Sequence, residues 1–313
     1  MESAGIEGII DPPSPYKLLL KCPLGLSPSQ VSVDLNESYD RIPHPDNELE
    51  NSISEIWERR TQENSSLFNG SKFRYGGHVL EKGHSSEEEF RVCLRLGLTD
   101  YRSSSLSLSL SLTFVGTNLN AMWKKFLVPS EDNFIQCLHT ASPLGNGAVV
   151  ETVDKKIVVL QRSNNVGEFP GHFVFPGGHP EPQEIGLSTH LCDQHPKDPQ
   201  ILNKKVSQEM FDSIMREVVE EIGVSVSFLR NPVFIGISRR ELNVRPTAFF
   251  FIKCTLDSKE VQELYSNAQD GYESTQLYTV SMSELKNMAN KMPGCHQGGF
   301  ALYDLLVECT KEI

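Results

Sequence analysis

Three glutamates lie close together in one short segment of the chain, Glu217, Glu220 and Glu221. In a helix, their spacing of i, i+3 and i+4 places the carboxylates next to one another on one face. Like charges at this spacing repel, so a solvated acidic face is one interpretation, helped by an ion pair from Arg216 to Glu220. The other interpretation is a site for a hard divalent cation, because Mg²⁺ is commonly held by one or two carboxylates together with substrate phosphates.

The segment that carries these glutamates predicts a helix over residues 206–222. At about 100° per residue, one stripe of the helix is apolar and the glutamates point away from it. Gly223 ends the predicted helix, because a residue without a Cβ adopts a left-handed turn at little cost. The apolar stripe contains Phe211, Ile214, Met215, Val218 and Ile222.

Two glycines upstream, Gly177 and Gly178, follow a short predicted strand over residues 173–175. Consecutive glycines let the backbone turn sharply and approach a ligand closely. An ordinary surface turn is the alternative for the loop alone. Next to an acidic helix, the two glycines favour a ligand-binding loop.

Together, the loop and the helix resemble the Nudix box, G-x5-E-x7-R-E-U-x-E-E-x-G-U, where U is a bulky aliphatic residue. In the first half of the box, Gly178 and Glu184 match, but 31 residues separate Glu184 from Arg216 where seven are expected. Either this stretch contains an inserted loop or another residue replaces Glu184. Gln208 has the expected spacing to Arg216, and Glu209 is one residue off. The second half matches at every fixed position: Arg216, Glu217, Val218, Glu220, Glu221, Gly223 and Val224.

The Nudix resemblance covers about residues 136–290 and implies an α/β/α sandwich around a mixed sheet. It also implies hydrolysis of a nucleoside diphosphate linked to another group, with Mg²⁺ or Mn²⁺ as cofactor. Glu217, Glu220 and Glu221 are then the expected metal ligands. We expect Glu217, Glu220 and Arg216 to serve catalysis, with Arg216 orienting a glutamate rather than touching the substrate.

Several further runs are similar to a Nudix subgroup that hydrolyses UDP-glucose and UDP-galactose. They are LLLKCPLGL from Leu18, LRLGLTDYR from Leu94, VGTN from Val115, PLGNGA from Pro143 and PGGHPEP from Pro176. This resemblance implies cleavage of a UDP-sugar to UMP and a sugar 1-phosphate. Arg239, Arg240 and Glu273 are weaker candidates for substrate contact and are expected at the surface. The expected substrate contacts are Gly177, Gly178, Phe68, Tyr101, Arg162, His179 and Glu181; beyond the two glycines, packing or a solvated position is the alternative for each.

The chain is predicted to have two parts, an α+β part over residues 1–135 and a Nudix domain over residues 136–313. The first part carries a predicted helix over residues 48–60, capped by Asn47 and followed by a polar loop. The alternating Ser/Leu segment 103–113 is either an inserted loop or an edge strand. In the second part, strands alternate with helices that begin near Asp257 or Ser258 and near Ser281 or Ser283, which indicates the α/β class. The predicted strands cover residues 16–21, 90–98, 148–152, 156–162, 173–175, 233–238 and 247–255.

Composition narrows the classes of function. A formal net charge of −12 argues against broad nucleic-acid binding. The small nucleotide expected as partner is what the Nudix resemblance implies. No run of about 18 apolar residues predicts a membrane span, and the seven cysteines without a CxxC pair indicate reduced thiols. The N-terminus lacks a signal-peptide pattern, so we expect a cytoplasmic protein. Two alternatives stay open: a non-catalytic Nudix-like nucleotide-binding module, which the complete set of glutamates disfavours, and an mRNA cap hydrolase, which the acidic balance disfavours.

Overall fold

A computed structural model describes residues 14–63, 65, 69–82, 90–100, 103, 123–164, 169–187, 198–265 and 274–311. Its strands are β1 Tyr16–Leu26, β2 Val31–Leu35, β3 Ser71–Lys82, β4 Phe90–Asp100, β5 Gly145–Glu151, β6 Ile157–Arg162, β7 Phe173–Val174, β8 Val233–Arg240, β9 Arg245–Lys253 and β10 Ser274–Val280. Its α-helices are α1 Asn47–Glu63, α2 Asn133–Gln136, α3 Pro199–Ile222, α4 Ser258–Leu264, α5 Met282–Met288 and α6 Gly294–Lys311. Short 3₁₀ helices cover Pro28–Gln30, Glu37–Tyr39, Trp123–Phe126, Pro182–Ile185, Val226–Phe228 and Ala289–Lys291.

The larger sheet has the strand order β1-β8-β9-β5-β6-β10, with β7 beside β6. β5 and β9 run parallel, whereas the other described pairs run antiparallel, so the sheet is mixed. Successive residues of a strand point to opposite faces. In β5, Ala148 and Val150 accordingly enter one core cluster and Val149 enters another.

Helices cover both faces of this sheet. On one face, α3 buries the predicted apolar stripe, including Phe211, Ile214 and Val218. On the other face, α6 buries Leu302 and Tyr303. The predicted α/β/α sandwich is therefore confirmed. The side of α3 opposite its apolar stripe faces away from this core and can line a site.

A smaller sheet, in the order β2-β4-β3, packs into the same core as α3 through Val33, Phe73 and Leu94. The N-terminal part is thus α+β, as predicted. β1 comes from residues 1–135 but pairs with β8 in the larger sheet. The boundary at residue 135 therefore cuts through one sheet, and its status as a domain boundary stays a prediction.

Some predicted element bounds were wrong. Helix α1 begins at Asn47, and its cap is Asp46, whose carboxylate accepts hydrogen bonds from the backbone of Glu48 and Leu49 at 2.9 and 3.3 Å. The helix continues through Thr61, which was predicted as loop, and ends at Glu63; the Thr61 hydroxyl donates to the carbonyls of Trp57 and Glu58. Strand β3 was not predicted, since Gly76 and Gly77 interrupt its apolar alternation at a bulge.

Three further predictions concern the cysteines, a membrane span and the Ser/Leu segment. The described cysteines form no disulfide. None of the helices in the described ranges is long and apolar enough to cross a membrane. The Ser/Leu segment lies outside the described residues except for Ser103, so its role stays a prediction.

Candidate active site

The acidic face of α3 lies against the glycine loop. The Gly177 amide donates a hydrogen bond to Glu221 Oε2 at 2.7 Å. The His179 amide donates to Glu217 Oε1 at 3.3 Å. The glutamates are half-buried, so this face is not the fully solvated surface of the alternative interpretation.

Both glycines are required by close contacts. Gly177 has φ +155°, and a Cβ there would lie 2.3 Å from the Asn146 carbonyl oxygen. A Cβ at Gly178 would lie 2.0 Å from Glu217 Oε1. Any larger residue would therefore push the loop off β5 or displace a carboxylate of the acidic face.

Asn146 fixes the loop between the sheet and α3, a role the sequence analysis missed. Its side-chain oxygen accepts from the Gly178 amide at 2.7 Å, and its Nδ2 donates to Ser213 Oγ at 2.8 Å. Asn146 is only 3% exposed. A buried polar group must be hydrogen-bonded, and the available signal was a single amide between two glycines at the start of β5.

Arg216 pairs with Glu209 rather than with Glu220. Its two terminal nitrogens donate to the two Glu209 oxygens at 3.2 and 2.7 Å. Glu209 Oε1 also accepts from the Glu181 amide at 3.2 Å, which ties the glycine loop to the middle of α3. Glu209 is 3% exposed, and the pair raises the pKa of Arg216.

The three candidates for the first glutamate of the split motif differ in their contacts. Glu184 is exposed within a 3₁₀ helix, and Gln208 is exposed and hydrogen-bonded to Asp212. Glu209, one residue off the expected spacing, holds the arginine instead. Helical geometry explains the shift, because Glu209 lies seven residues before Arg216, on the same face of α3.

Glu220 is the third carboxylate of the acidic face, and no hydrogen bond or ion pair joins it to another described residue. Among the residues that the structure describes, no three His, Cys, Asp or Glu side chains converge closely enough to form a metal cluster. Instead, Glu217 and Glu221 accept hydrogen bonds from loop amides. The donor chemistry still fits a hard divalent ion, since two half-buried carboxylates, Glu217 and Glu221, contact the same loop.

His179 and Glu181, two of the expected substrate contacts, lie beside the acidic face and have protein partners. Arg245 Nη2 donates to His179 Nε2 at 2.6 Å. Burial, Arg245 and Lys72 hold the pKa of His179 well below its usual range, so its ring is neutral. Glu181 forms an ion pair with Lys72 of β3, which links the smaller sheet to the loop.

Arg162 lies at the end of β6, close to His296. The Phe175 amide donates to His296 Nδ1 at 3.2 Å. Burial, Arg162 and Arg240 lower the pKa of His296 to about 3, so this ring is also neutral. His296 was not singled out from the sequence, because it comes from a glycine-rich helix start without a recognisable pattern.

The prediction that Arg239 and Arg240 lie at the surface was wrong. They are 2% and 3% exposed. Arg239 pairs with Glu241, and Arg240 donates to Asn243 and lies 4.7 Å from the ring centroid of Phe169. Burial of the two arginines follows from their place in β8, an interior strand of the larger sheet. Three other candidates, Phe68, Tyr101 and Glu273, lie outside the described residues.

Similarity to known proteins decides the family. Nudix hydrolase 9 of Arabidopsis thaliana is 62% identical over 299 residues, which are 95% of this chain and 93% of that protein. The chain belongs to the Nudix hydrolase family. It is thus a pyrophosphohydrolase, and the expected enzyme class is confirmed.

Two further proteins are similar at lower sequence identity. The uridine diphosphate glucose pyrophosphatase NUDT22 of Mus musculus is 36% identical over 276 residues, covering 87% of this Nudix chain and 83% of that protein. A solved MutT protein from Methanosarcina mazei Go1 is 16% identical and covers 51% of this chain and 91% of that chain, with a TM-score of 0.31. No family model matches the sequence.

Proposed function

We propose that this Nudix enzyme hydrolyses the diphosphate linkage of a UDP-sugar to UMP and a sugar 1-phosphate, with Mg²⁺ or Mn²⁺ as cofactor. The observation that carries the proposal is the contact of Glu217 and Glu221 with the amides of Gly177 and His179. This contact joins an acidic helix face and a glycine loop into one site. The similarity to proteins named uridine diphosphate glucose pyrophosphatase supports the substrate class.

Glu217, Glu220 and Glu221 are the proposed metal ligands. When bound, divalent ions would neutralise charge on the diphosphate oxygens and lower the pKa of an attacking water. Glu217 and Glu221 would exchange their amide hydrogen bonds for the cation. An overall charge of −12 is compatible with an anionic substrate only if cations offset it locally.

The remaining side chains would position groups and move a proton. Glu220 is a candidate proton acceptor, because its carboxylate is not committed to another described residue. Arg216 and Glu209 would hold the loop and α3 at a fixed separation. Gly177 and Gly178 would let the diphosphate approach the backbone closely.

The proposed substrate contacts beyond the loop are Phe68, Tyr101, Arg162, His179 and Glu181. Because the His179 ring is neutral, we propose that it contacts the substrate through a hydrogen bond and not through an ion pair. Arg162 would serve as a bidentate phosphate donor. We place the reaction in the cytoplasm, on a small nucleotide rather than on nucleic acid.

A substrate panel tests the proposal. Product release would be measured for UDP-glucose, UDP-galactose, ADP-ribose, a dinucleoside polyphosphate and capped RNA, with and without Mg²⁺ or Mn²⁺. We expect UMP from both UDP-sugars, at the highest kcat/KM of the panel, and no product after chelation. Preferred cleavage of capped RNA, or binding of UDP-glucose without turnover, would refute the proposal in favour of one of the two alternatives.

A further inference from the structure

A cavity of about 330 Å³ lies between the smaller sheet and strands β1, β8 and β9. Neither glycine of the loop and none of the three glutamates of α3 lines it. Its volume lies at the lower end of the range of small-molecule pockets. The cavity is therefore separate from the candidate active site and large enough for a ligand built on one ring.

Three aromatic rings line the cavity. Tyr39 and Phe134 pack edge to face, with centroids 6.4 Å apart. The Tyr75 hydroxyl is hydrogen-bonded to His78 Nδ1 at 2.7 Å, so its ring is fixed in place. Gly77 adds open space, because a Cβ there would meet no heavy atom within 4 Å. These walls suit a flat ring, which aromatic side chains bind by stacking or edge contacts.

Arg95 gives the cavity a positive charge that forms no ion pair with a described residue. Its side chain is exposed, and its guanidinium lies 5.8 Å from the centroid of the Tyr39 ring. No carboxylate of the described residues forms an ion pair with it. In a protein with a net charge of −12, an arginine that lines a cavity without an acidic partner is a candidate for binding an anion.

The other charged groups of the lining are already satisfied. The Asp132 carboxylate accepts hydrogen bonds from the amides of Phe134 and Ile135, at the start of α2. Arg239 pairs with Glu241. His78 is neutral, because burial and Arg95 lower its pKa. Arg95 is thus the cationic side chain of the described lining that forms no ion pair.

We propose that this cavity binds a small aromatic carboxylate, with its ring among Tyr39, Tyr75 and Phe134 and its acid group on the guanidinium of Arg95. Arginine matches a carboxylate through two parallel N–H donors, which a neutral acceptor cannot equal. The ligand would be distinct from the nucleotide substrate, and the proposal does not depend on which nucleotide the enzyme cleaves.

The probes are 4-hydroxybenzoate and its uncharged analogue 4-hydroxybenzamide, titrated into the full chain by calorimetry or ligand-observed NMR. For so small a ligand we expect a dissociation constant on the order of 0.1–1 mM for the carboxylate. Arg95→Gln should weaken carboxylate binding about tenfold and change amide binding less than twofold, since one charge-assisted contact is lost. Arg91→Gln, also exposed on β4 but outside the cavity lining, is the matched control and should change neither.

Saturating UMP provides an independent readout. If the carboxylate binds in the cavity lined by Arg95, UMP should leave the dissociation constant of the carboxylate unchanged. The proposal is overturned if the wild type shows no saturable binding of the carboxylate. It is equally overturned if Arg95→Gln binds as well as Arg91→Gln, or if UMP displaces the probe.

Discussion

Replacing Glu209 by glutamine tests its ion pair with Arg216. The substitution keeps the side chain's shape but removes the charge that faces Arg216, and it puts an amide donor where both partners need an acceptor. Breaking a buried ion pair costs about 3–5 kcal/mol. Here one partner is buried and the Arg216 side chain is 39% exposed, so water can solvate the remaining charge. We therefore expect a loss of about 2 kcal/mol in the free energy of unfolding.

Urea and thermal unfolding would measure this loss. A change of about 2 kcal/mol corresponds to a fall in Tm of roughly 4–8 °C for a domain of this size. Glu184→Gln and Gln208→Ala are the matched controls, because these exposed residues are the other candidates for the first glutamate of the motif. Each should change stability by less than about 0.5 kcal/mol.

A double-mutant cycle with Arg216→Gln separates the pair from its surroundings. We expect the second substitution to cost little once Glu209→Gln is present. The reasoning is refuted if Glu209→Gln unfolds like the wild type, or if Glu184→Gln produces the larger loss.

Two further predictions concern the loop and pH. Gly177→Ala should lower the free energy of unfolding by about 1–3 kcal/mol, because its Cβ meets the backbone of Asn146. Gly178→Ala should leave the urea midpoint nearly unchanged and lower kcat at least tenfold, because only the flexible Glu217 carboxylate must move. Equal effects of the two variants on stability would contradict this prediction. The folded-state pKa of His296, about 3, lies below its unfolded value of about 6.5, so the unfolded chain binds the extra proton and stability falls as pH drops through this window. By pH 5 this costs at most about 2 kcal/mol. His296→Gln should reduce the loss of stability between pH 7 and pH 5 in urea unfolding, and an unchanged loss would show that His296 does not contribute.

Local pattern predicted the elements that surround the site. The apolar stripe of α3, the glycine that ends it and the continuous apolar runs of β5 and β6 each follow from the pattern within one segment. The second half of the motif is contiguous, so Glu217, Glu220 and Glu221 could be placed on one face without knowledge of the fold.

Contacts between distant segments were not predictable in this way. Asn146 meets Ser213 and Gly178 only because the sheet brings β5, the loop and α3 together. Spacing along the chain favours Gln208 over Glu209 as the partner of Arg216, whereas the direction of the side chain on the helix decides the contact. Burial of Arg239 and Arg240 depends on β1 covering the far side of β8, a pairing across more than 200 residues.

Turnover of Glu221→Gln, measured as UMP release from UDP-glucose across a Mg²⁺ titration, tests the central claim most directly. The substitution removes one negative charge but keeps an oxygen for the Gly177 amide, so the fold should persist and the thermal midpoint serves as the control. We predict a fall in kcat/KM of at least 100-fold, with a higher Mg²⁺ concentration needed for half-maximal rate. Near wild-type turnover with an unchanged Mg²⁺ dependence would contradict the assignment of the acidic face of α3 as the metal site.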